Sequence, residues 1–306
     1  MKNRSLWAYV VIWLKGFCMG AADVVPGVSG GTMAFILGIY EELIGAIRSF
    51  DTAFVKRLFS LRIKAALDHV PWPFLLALVV GIFTAIFSLA KVLSWLLENR
   101  PVSIWSFFFG LVLASIFTVS RHLKKWDLPL IAWLILGAIG AYLLVGMVPV
   151  STPETWWFLI LSGVIAICAM ILPGISGSFI LVLLGKYDYL LRAVNHRDFL
   201  TLALAAMGAA IGLISFVRLL SWLLKRHHDV TIAVLTGLML GALRKVWPWK
   251  ETLESFIDKD GSVKALVQAN ILPPLWNAEV TLALFLGIVG FLAVFFLNLW
   301  AERNSG

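Results

Sequence analysis

The segments VVPGVSGGTMAFILGIYEEL (residues 24–43) and ILPGISGSFILVLLGKYDYL (residues 171–190) lie one in each half of the chain and align without a gap. Both contain Pro-Gly-x-Ser-Gly, then an apolar stretch, then Gly-x-Tyr followed by an acidic residue. Proline removes a backbone donor and glycine favours turns, so each motif interrupts an apolar segment that would otherwise be helical. The pair predicts a duplicated fold with one broken helix in each half.

The composition is typical of a membrane protein. Of the 306 residues, 61% are hydrophobic and 14% are charged, whereas soluble domains carry about a quarter charged residues. Apolar runs of roughly 18 to 24 residues recur along the chain, and each is long enough to cross the hydrocarbon layer as a helix. The net charge of +8 indicates loops that face anionic lipid rather than nucleic acid. We therefore predict an all-α polytopic membrane protein with no nucleic-acid partner.

Eight apolar stretches are candidates for entering the bilayer. The two that contain the motifs, residues 7–47 and 156–191, are too long for one span and too interrupted for one helix, so we predict two re-entrant helical hairpins. The other six are predicted to cross the membrane. They are residues 74–97, 102–119, 128–148, 201–224, 230–243 and 280–300.

A second matching block supports an internal duplication. SLAKVLSWLLE (88–98) resembles SFVRLLSWLLK (215–225), and the two blocks follow their motifs in the same order. We therefore divide one membrane domain into two repeats, residues 1–150 and 151–306, each with a re-entrant hairpin and three transmembrane helices. With three full spans per repeat, the second copy must be inverted relative to the first, as in many secondary transporters. A duplication that only stabilises a helical bundle is the alternative.

The basic residues of the loops predict which face is cytoplasmic. If both hairpins are re-entrant, the loop 48–73, the turn 121–125 and the segment 225–228 share a face with both termini, and this face carries more Lys and Arg. The positive-inside rule then places both termini in the cytoplasm. Within the first loop, residues 52–67 mix aromatic and basic residues at helical spacing, which predicts an interfacial helix. Residues 248–274 are expected to be an outer loop, for which we make no secondary-structure prediction.

The two broken segments are the predicted binding site. A hairpin inside the membrane must satisfy its turn internally or line a wet cavity, and free amides at the start of a half-helix attract anions. Two such turns that meet would suit a phosphate or carboxylate group. The alternative is that Gly and Ser only allow close helix packing. The candidate ligands are Pro26, Gly27, Ser29, Gly30, Gly31, Thr32, Pro173, Gly174, Ser176, Gly177 and Ser178.

Charged residues within the apolar segments are further candidates, because a charge in hydrocarbon is costly. Asp23 precedes the first motif and has Met170 as its counterpart, so we consider Asp23 for ion coupling, with orientation of Lys15 or capping of the turn as alternatives. Lys15, Lys91 and Arg218 are candidate phosphate ligands. Lys91 and Arg218 occupy matched positions in the repeats, where snorkelling to the headgroups is the alternative.

The sequence offers little support for an enzyme. Cys18 and Cys168 lie in apolar segments, and neither a metal site nor a cofactor site is predicted. The second motif resembles the PGxSRS motif of undecaprenyl-diphosphate phosphatases, in which an arginine stabilises the transferring phosphoryl group. Gly177 and Gly30 stand at that position here. We therefore favour transport over hydrolysis, with a membrane phosphatase, a transporter of a small anion and a membrane scaffold as alternatives.

The string ADVVPGVSGGTMAFILGIYEELI (22–44), paired with LPGISGSFILVLLGKYDYLL (172–191), resembles the polyprenyl-phosphate transporter family, PopT, over essentially the whole chain. The resemblance implies that the protein moves undecaprenyl phosphate from the outer to the inner leaflet of the cytoplasmic membrane. The lipid carrier is thereby recycled for peptidoglycan and other envelope polymers. No ATPase motif is present, so transport is expected to be passive or coupled to an ion such as a proton or sodium. The resemblance does not assign the phosphate ligands.

Overall fold

The computed structural model describes residues 4–24, 29–121, 123, 125–257, 263–273 and 275–303. Over these residues the chain is mostly helical, in agreement with the sequence. The helices are α1 (Leu6–Asp23), α2 (Gly30–Ile36), α3 (Tyr40–Arg48), α4 (Thr52–Phe59), α5 (Ile63–Leu67), α6 (Trp72–Asn99), α7 (Pro101–Ser120), α8 (Leu128–Val145), α9 (Trp156–Ile171), α10 (Gly177–Leu183), α11 (Tyr187–Asn195), α12 (Phe199–Arg226), α13 (His228–Val246) and α14 (Ala278–Arg303). The strands are β1 (Lys250–Ile257) and β2 (Val263–Asn270).

Among the described residues, six helices have the length and hydropathy to cross a membrane: α1, α6, α7, α8, α12 and α14. The protein is therefore a multi-pass helical membrane protein. Helix α13, which the sequence also predicts as a span, is not among the six because Asp229, Arg244 and Lys245 lie near its ends. It packs against α7 and α8, and many of its residues are buried. A helix shielded by its neighbours does not need a uniformly apolar surface.

Both broken segments fold back toward the end at which they begin. In the first, Arg4 forms a 2.7 Å ion pair with Glu42, which joins the region before α1 to the start of α3. In the second, the Nζ atom of Lys186 lies 5.5 Å from the ring centroid of Phe158, close to the start of α9. Since α1 has the length of a full span and α9 is shorter, helix length by itself does not show that these hairpins are re-entrant.

Three pairs of corresponding helices in the two halves have equal lengths. Helices α2 and α10 have 7 residues each, α3 and α11 have 9, and α6 and α12 have 28. Helix α1 packs along α6 as α9 packs along α12, while α7 pairs with α14 and α8 with α13. The last two pairs each join one half of the chain to the other. The inverted arrangement of the repeats and the boundary near residue 150 stay predictions.

Glycines allow the paired helices to approach closely. A Cβ atom added at Gly81 of α6 would collide with the carbonyl oxygen of Trp13 in α1, and one at Gly208 of α12 would collide with that of Ile160 in α9. The backbones therefore touch at matched places in both halves. In a bilayer, where lipid is as apolar as leucine, such close packing is a principal source of helix association.

Two surface segments differ from the sequence predictions. The single interfacial helix predicted for residues 52–67 is two short helices, α4 and α5, because Leu61 between them has a positive φ of 55°. A left-handed residue cannot continue a right-handed helix. In the predicted outer loop 248–274, β1 and β2 form an antiparallel pair that aligns Lys250 with Asn270 and Ile257 with Val263. The Asp260-Gly261 pair between these strands is a hairpin signal that our sequence analysis did not use.

Candidate functional site

The two broken segments meet inside the protein. The hydroxyl of Ser29, directly before α2, donates to the carbonyl oxygen of Met170 at 3.3 Å. In the opposite direction, the amide of Gly174 in the second motif donates to Oγ1 of Thr32 at 2.9 Å. These bonds connect residues more than 140 positions apart in sequence. The predicted convergence of the two motifs is therefore observed.

A further hydrogen bond fixes the same junction. The phenol of Tyr40, at the start of α3, donates to the carbonyl oxygen of Ile171 at 3.1 Å. Gly31 also packs here, since an added Cβ would lie 2.7 Å from that same carbonyl oxygen. The end of α9 thus supplies backbone acceptors to the first hairpin. Every residue of α2 is buried, so the first half-helix is part of the protein core.

The hydroxyls of Ser29 and Thr32 are used for contacts between the hairpins. Both residues are 1% exposed, and both take part in the hydrogen bonds described above. Their geometry favours a role in joining the two turns over one in binding a ligand from outside. Pro26 and Gly27 of the first motif lie outside the described residues.

The start of the first half-helix already carries an anion. Oδ1 of Asp23 accepts a hydrogen bond from the amide of Gly30 at 2.7 Å, and a Cβ added at Gly30 would lie 2.5 Å from the other carboxylate oxygen. A negative charge is favourable at the N-terminus of a helix. Asp23 therefore occupies the position that sequence analysis assigned to a substrate phosphate in the first half.

The second motif has a different environment. Met170 stands where the first half has Asp23, so no carboxylate is supplied from that position. Ser176 and Ser178 place their hydroxyl oxygens 2.7 Å apart, and Ser178 is exposed. Pro173 and Gly177 of this motif are buried. Among the described motif groups, these two hydroxyls at the start of α10 bond to each other rather than to the other hairpin.

Of the predicted cations, Lys15 is engaged within the first hairpin. Its Nζ atom donates to the carbonyl oxygen of Leu37 at 2.8 Å, close to the C-terminus of α2. The partial negative charge of a helix C-terminus favours a cation there. Lys15 therefore stabilises the end of the half-helix, and it does not contact Asp23 in this conformation.

Lys91 and Arg218, by contrast, are exposed residues on α6 and α12. Arg218 lines a cleft of about 500 Å³ together with Arg48, Lys225, Arg226 and the aromatic ring of Trp222. Lys91 is not among the residues that line this cleft, and its role as a phosphate ligand stays a prediction. Arg218 shares its cleft with cations from its own helix and from α3, and also with the carboxylate of Asp51.

The sequence analysis missed Arg48 as a member of this cleft. Its guanidinium donates to Oγ of Ser221 at 3.1 Å, which ties the end of α3 to α12. The same guanidinium borders a neighbouring cavity with Glu41 and His69. A basic residue directly after a predicted hairpin was a usable signal, but its partner on α12 could be known only from the tertiary structure.

Lys245 and Lys250 were also missed. They flank the sequence VWPW (246–249) at the end of α13, and both are partly buried. Alternation of basic and aromatic residues was visible in the sequence, yet this segment was treated as the edge of a loop. Among the described residues no group of three or more His, Cys, Asp or Glu side chains could hold a metal ion.

Comparisons with known proteins agree on one family. Residues 19–264 match the family model described as VCA0040-like, undecaprenyl phosphate translocase-like. A Vibrio cholerae protein named polyprenyl-phosphate transporter is 49% identical over 265 residues, which cover 87% of this chain and 86% of that relative. A Staphylococcus aureus protein of the same name is 30% identical over 257 residues, covering 77% of this chain and 85% of that relative. No solved structure matches this chain significantly. With two meeting helix breaks, a multi-pass helical fold and this extent of similarity, the chain belongs to the undecaprenyl phosphate translocase-like family.

Proposed function

We propose that this protein translocates undecaprenyl phosphate across the cytoplasmic membrane, from the outer to the inner leaflet. Family membership supports the substrate class, because both relatives are named polyprenyl-phosphate transporters. The structural observation that carries the proposal is the direct contact of the two hairpins, between Ser29 and Met170 and between Gly174 and Thr32. Through this junction the two broken helices lie next to each other inside the protein.

The chemistry of the substrate defines what the protein has to supply. A phosphate monoester carries nearly two negative charges at neutral pH, and moving such a charge through hydrocarbon unaided is prohibitive. The isoprenoid tail has no such barrier and can stay in the lipid. The protein therefore needs only polar groups along the path of the headgroup, with an opening to the bilayer for the tail.

The second motif is the proposed contact for the headgroup at the junction. The hydroxyls of Ser176 and Ser178 adjoin each other at the start of α10, and neither has the interhairpin contacts that occupy Ser29 and Thr32. Hydroxyl and amide donors in such a turn suit phosphate oxygens. The turn that presents these hydroxyls is held by Gly174, whose amide bonds to Thr32, and by Gly177, which packs against the carbonyl oxygen of Ala166.

Inversion of the repeats is the second part of the proposal. The pairing of α7 with α14 and of α8 with α13 supports it, since a two-fold relation between the halves would exchange these two pairs. Inverted repeats allow the halves to exchange conformations, which gives alternating access around one site. Both termini and the Arg48 cleft are then on the cytoplasmic face, where the cations of the cleft would receive the arriving phosphate.

Ion coupling through Asp23 is the third part. The carboxylate lies beside the junction, bonded to the amide of Gly30, so protonation or sodium binding there would change the charge at the start of α2. A conformational change of α2 would be transmitted to the second hairpin through Thr32 and Gly174. In this proposal the driving ion binds close to the contact between the two hairpins.

The test is leaflet transfer in proteoliposomes. Purified protein is reconstituted with a fluorescent polyprenyl phosphate, and an impermeant quencher reports the fraction of label in the outer leaflet over time. We expect transfer above the rate of protein-free liposomes, and a loss of about 10-fold for Ser176→Ala/Ser178→Ala, since two donors to a charged group are removed. The control is Ser60→Ala, an exposed serine between α4 and α5.

The alternatives predict other results in the same preparation. A membrane phosphatase would release inorganic phosphate from undecaprenyl diphosphate, and a transporter of a small anion would take up labelled phosphate without moving the lipid. Transfer of the lipid at the background rate by folded wild-type protein would overturn the proposal.

A further inference from the structure

Two lysines converge where α13 ends and β1 begins. Lys245 is on the last turn of α13, and Lys250 is the first residue of β1. The ammonium group of Lys250 donates to the carbonyl oxygen of Lys245 at 2.6 Å. The segment between them thus turns back, so that Lys250 is held beside the last turn of α13 and the two positive side chains belong to one cluster.

Aromatic rings from other helices enclose the cluster. The Nζ atom of Lys250 lies 4.3 Å from the ring centroid of Trp105 on α7. The Nζ atom of Lys245 lies 4.7 Å from the ring centroid of Phe179 on α10. A cation over an aromatic face is attracted to it, and more strongly where water is excluded. Four elements, α7, α10, α13 and β1, therefore contribute to this cluster.

No described carboxylate neutralises the pair. The ion pairs among the described residues involve Arg4, His69 and His228, none of which belongs to the cluster. Burial, together with the neighbouring charge of Lys245, lowers the pKa of Lys250 to about 7, so a charged ammonium group is unfavourable in this place without a counter-ion. Partly buried like charges without a counter-ion are stabilised when an anion binds.

The location connects the cluster to the second hairpin. Phe179, which contacts Lys245, follows Ser178 directly in α10, and Gly174 of the motif packs against Ala242, one turn before Lys245. An anion held by the lysines is therefore close to the hairpin that carries the hydroxyls of Ser176 and Ser178. Lys245 and Lys250 are at the opposite end of α13 from His228, which pairs with Glu41 of the first hairpin.

The surroundings indicate a lipid as the source of the anion. The segment that follows β2 exposes large apolar side chains, with Leu272 at 77%, Leu275 at 76% and Trp276 at 75% exposed. This segment is tied to the cluster, because the indole of Trp247 donates to the carbonyl oxygen of Ile271 at 2.8 Å. Apolar surface beside a cationic pocket matches a molecule with a long hydrocarbon tail and an anionic head.

We propose that Lys245 and Lys250, enclosed by Trp105 and Phe179, form a capture site for the phosphate monoester headgroup of a lipid. The inference rests on the proposed function. It assigns the first binding site that the lipid headgroup meets, at the end of the helical bundle that carries β1 and β2. The two ammonium groups bind the phosphate oxygens, and the aromatic rings keep water from competing. The headgroup then passes to Ser176 and Ser178.

Binding of short soluble probes tests the site directly. Farnesyl phosphate, inorganic phosphate and farnesol are titrated into detergent-solubilised protein, with tryptophan fluorescence as the readout. We expect Lys245→Gln and Lys250→Gln each to lower the affinity for farnesyl phosphate by ~10-fold or more, since each removes a charge-assisted contact. Farnesol binding should not change. Arg192→Gln, which removes an exposed cation of α11, is the control and should bind farnesyl phosphate as the wild type does.

The outcomes separate this inference from the proposed function. Equal affinity of the wild type for inorganic and farnesyl phosphate would overturn the lipid source, and unchanged affinity in the Lys245→Gln/Lys250→Gln double variant would overturn the site. Leaflet transfer in proteoliposomes is measured in parallel. If the wild type transfers lipid and the folded double variant does so at the same rate, the capture site is wrong while the transport function stands. If the wild type transfers none, the transport function is wrong, whatever the titrations show.

Discussion

At the scale of single residues, Asp23 distinguishes the two otherwise similar hairpins. Its carboxylate accepts from the amide of Gly30, whereas Met170 at the matching place offers no such acceptor. Sequence comparison of the two motifs identified this asymmetry, but it could not show that the carboxylate fills the start of α2. The first hairpin therefore provides its own anion, and we propose that the substrate headgroup provides one at the second.

Replacement of Asp23 by asparagine tests its proposed coupling role. Asp23→Asn keeps an oxygen that can accept from Gly30 and removes the titratable charge, so we expect a folded protein. Wild-type transfer should respond to an imposed pH or sodium gradient, and transfer by Asp23→Asn should not. Equal responses of the two proteins to both gradients would contradict the role of Asp23 in coupling.

Lys250 provides a second prediction at this scale. Its pKa of about 7 means that Lys250 is mostly neutral at pH 8 before a phosphate binds. A bound phosphate dianion favours the charged ammonium and raises this pKa, so binding at pH 8 should take up protons. Calorimetry of farnesyl phosphate binding in buffers with different ionisation enthalpies measures this uptake. The Lys250→Arg variant, whose side chain is always charged, should show none from this position.

At the scale of elements, the two half-helices end by the same device. Gly38 and Gly185 both have positive φ, at 66° and 62°, and each follows a seven-residue helix. Beyond Gly38, the amide of Ile39 donates to the carbonyl oxygen of Ala34 at 3.0 Å, which closes a left-handed glycine cap. The Gly-x-Tyr part of both motifs thus limits the length of the half-helix and turns the chain into the next helix.

Substitution of the cap glycine should destabilise the protein for conformational reasons. A Cβ at Gly38 meets no atom within 4 Å, so Gly38→Ala should cost about 1 to 2 kcal/mol of unfolding free energy through strain at positive φ. Gly45 in α3 also has open space around it but is helical, so Gly45→Ala should stabilise by up to about 1 kcal/mol. Chemical unfolding in detergent micelles compares them, and equal effects would refute the cap argument.

At the scale of the whole molecule, contacts at the ends of the helices define two separate surfaces. One surface carries the ion pair of Arg4 with Glu42 and the hydrogen bond from Arg48 to Ser221. The proposed capture site lies at the opposite end of α13 from His228. If the protein is placed in the membrane as proposed, the first surface is cytoplasmic and the β hairpin faces outward.

Accessibility of introduced cysteines tests this orientation. In a background with Cys18 and Cys168 replaced by serine, Glu254→Cys on β1 and Lys56→Cys on α4 introduce thiols at exposed positions. An impermeant maleimide added to intact cells should label Glu254→Cys and leave Lys56→Cys unlabelled until the membrane is opened. The reverse labelling pattern would show the opposite membrane orientation. Labelling of both variants in intact cells would contradict the placement of β1 and α4 on opposite sides of the membrane.

The sequence determined the membrane class, the duplicated breaks and the family resemblance, because hydropathy, proline and glycine act locally and leave a readable pattern. Only the tertiary structure decided which polar groups are already used. Ser29 and Thr32 join the hairpins, Asp23 fills a helix start, and Lys245 and Lys250 converge on the rings of Trp105 and Phe179. Such partners lie far apart along the chain, and their meeting follows from how the helices pack.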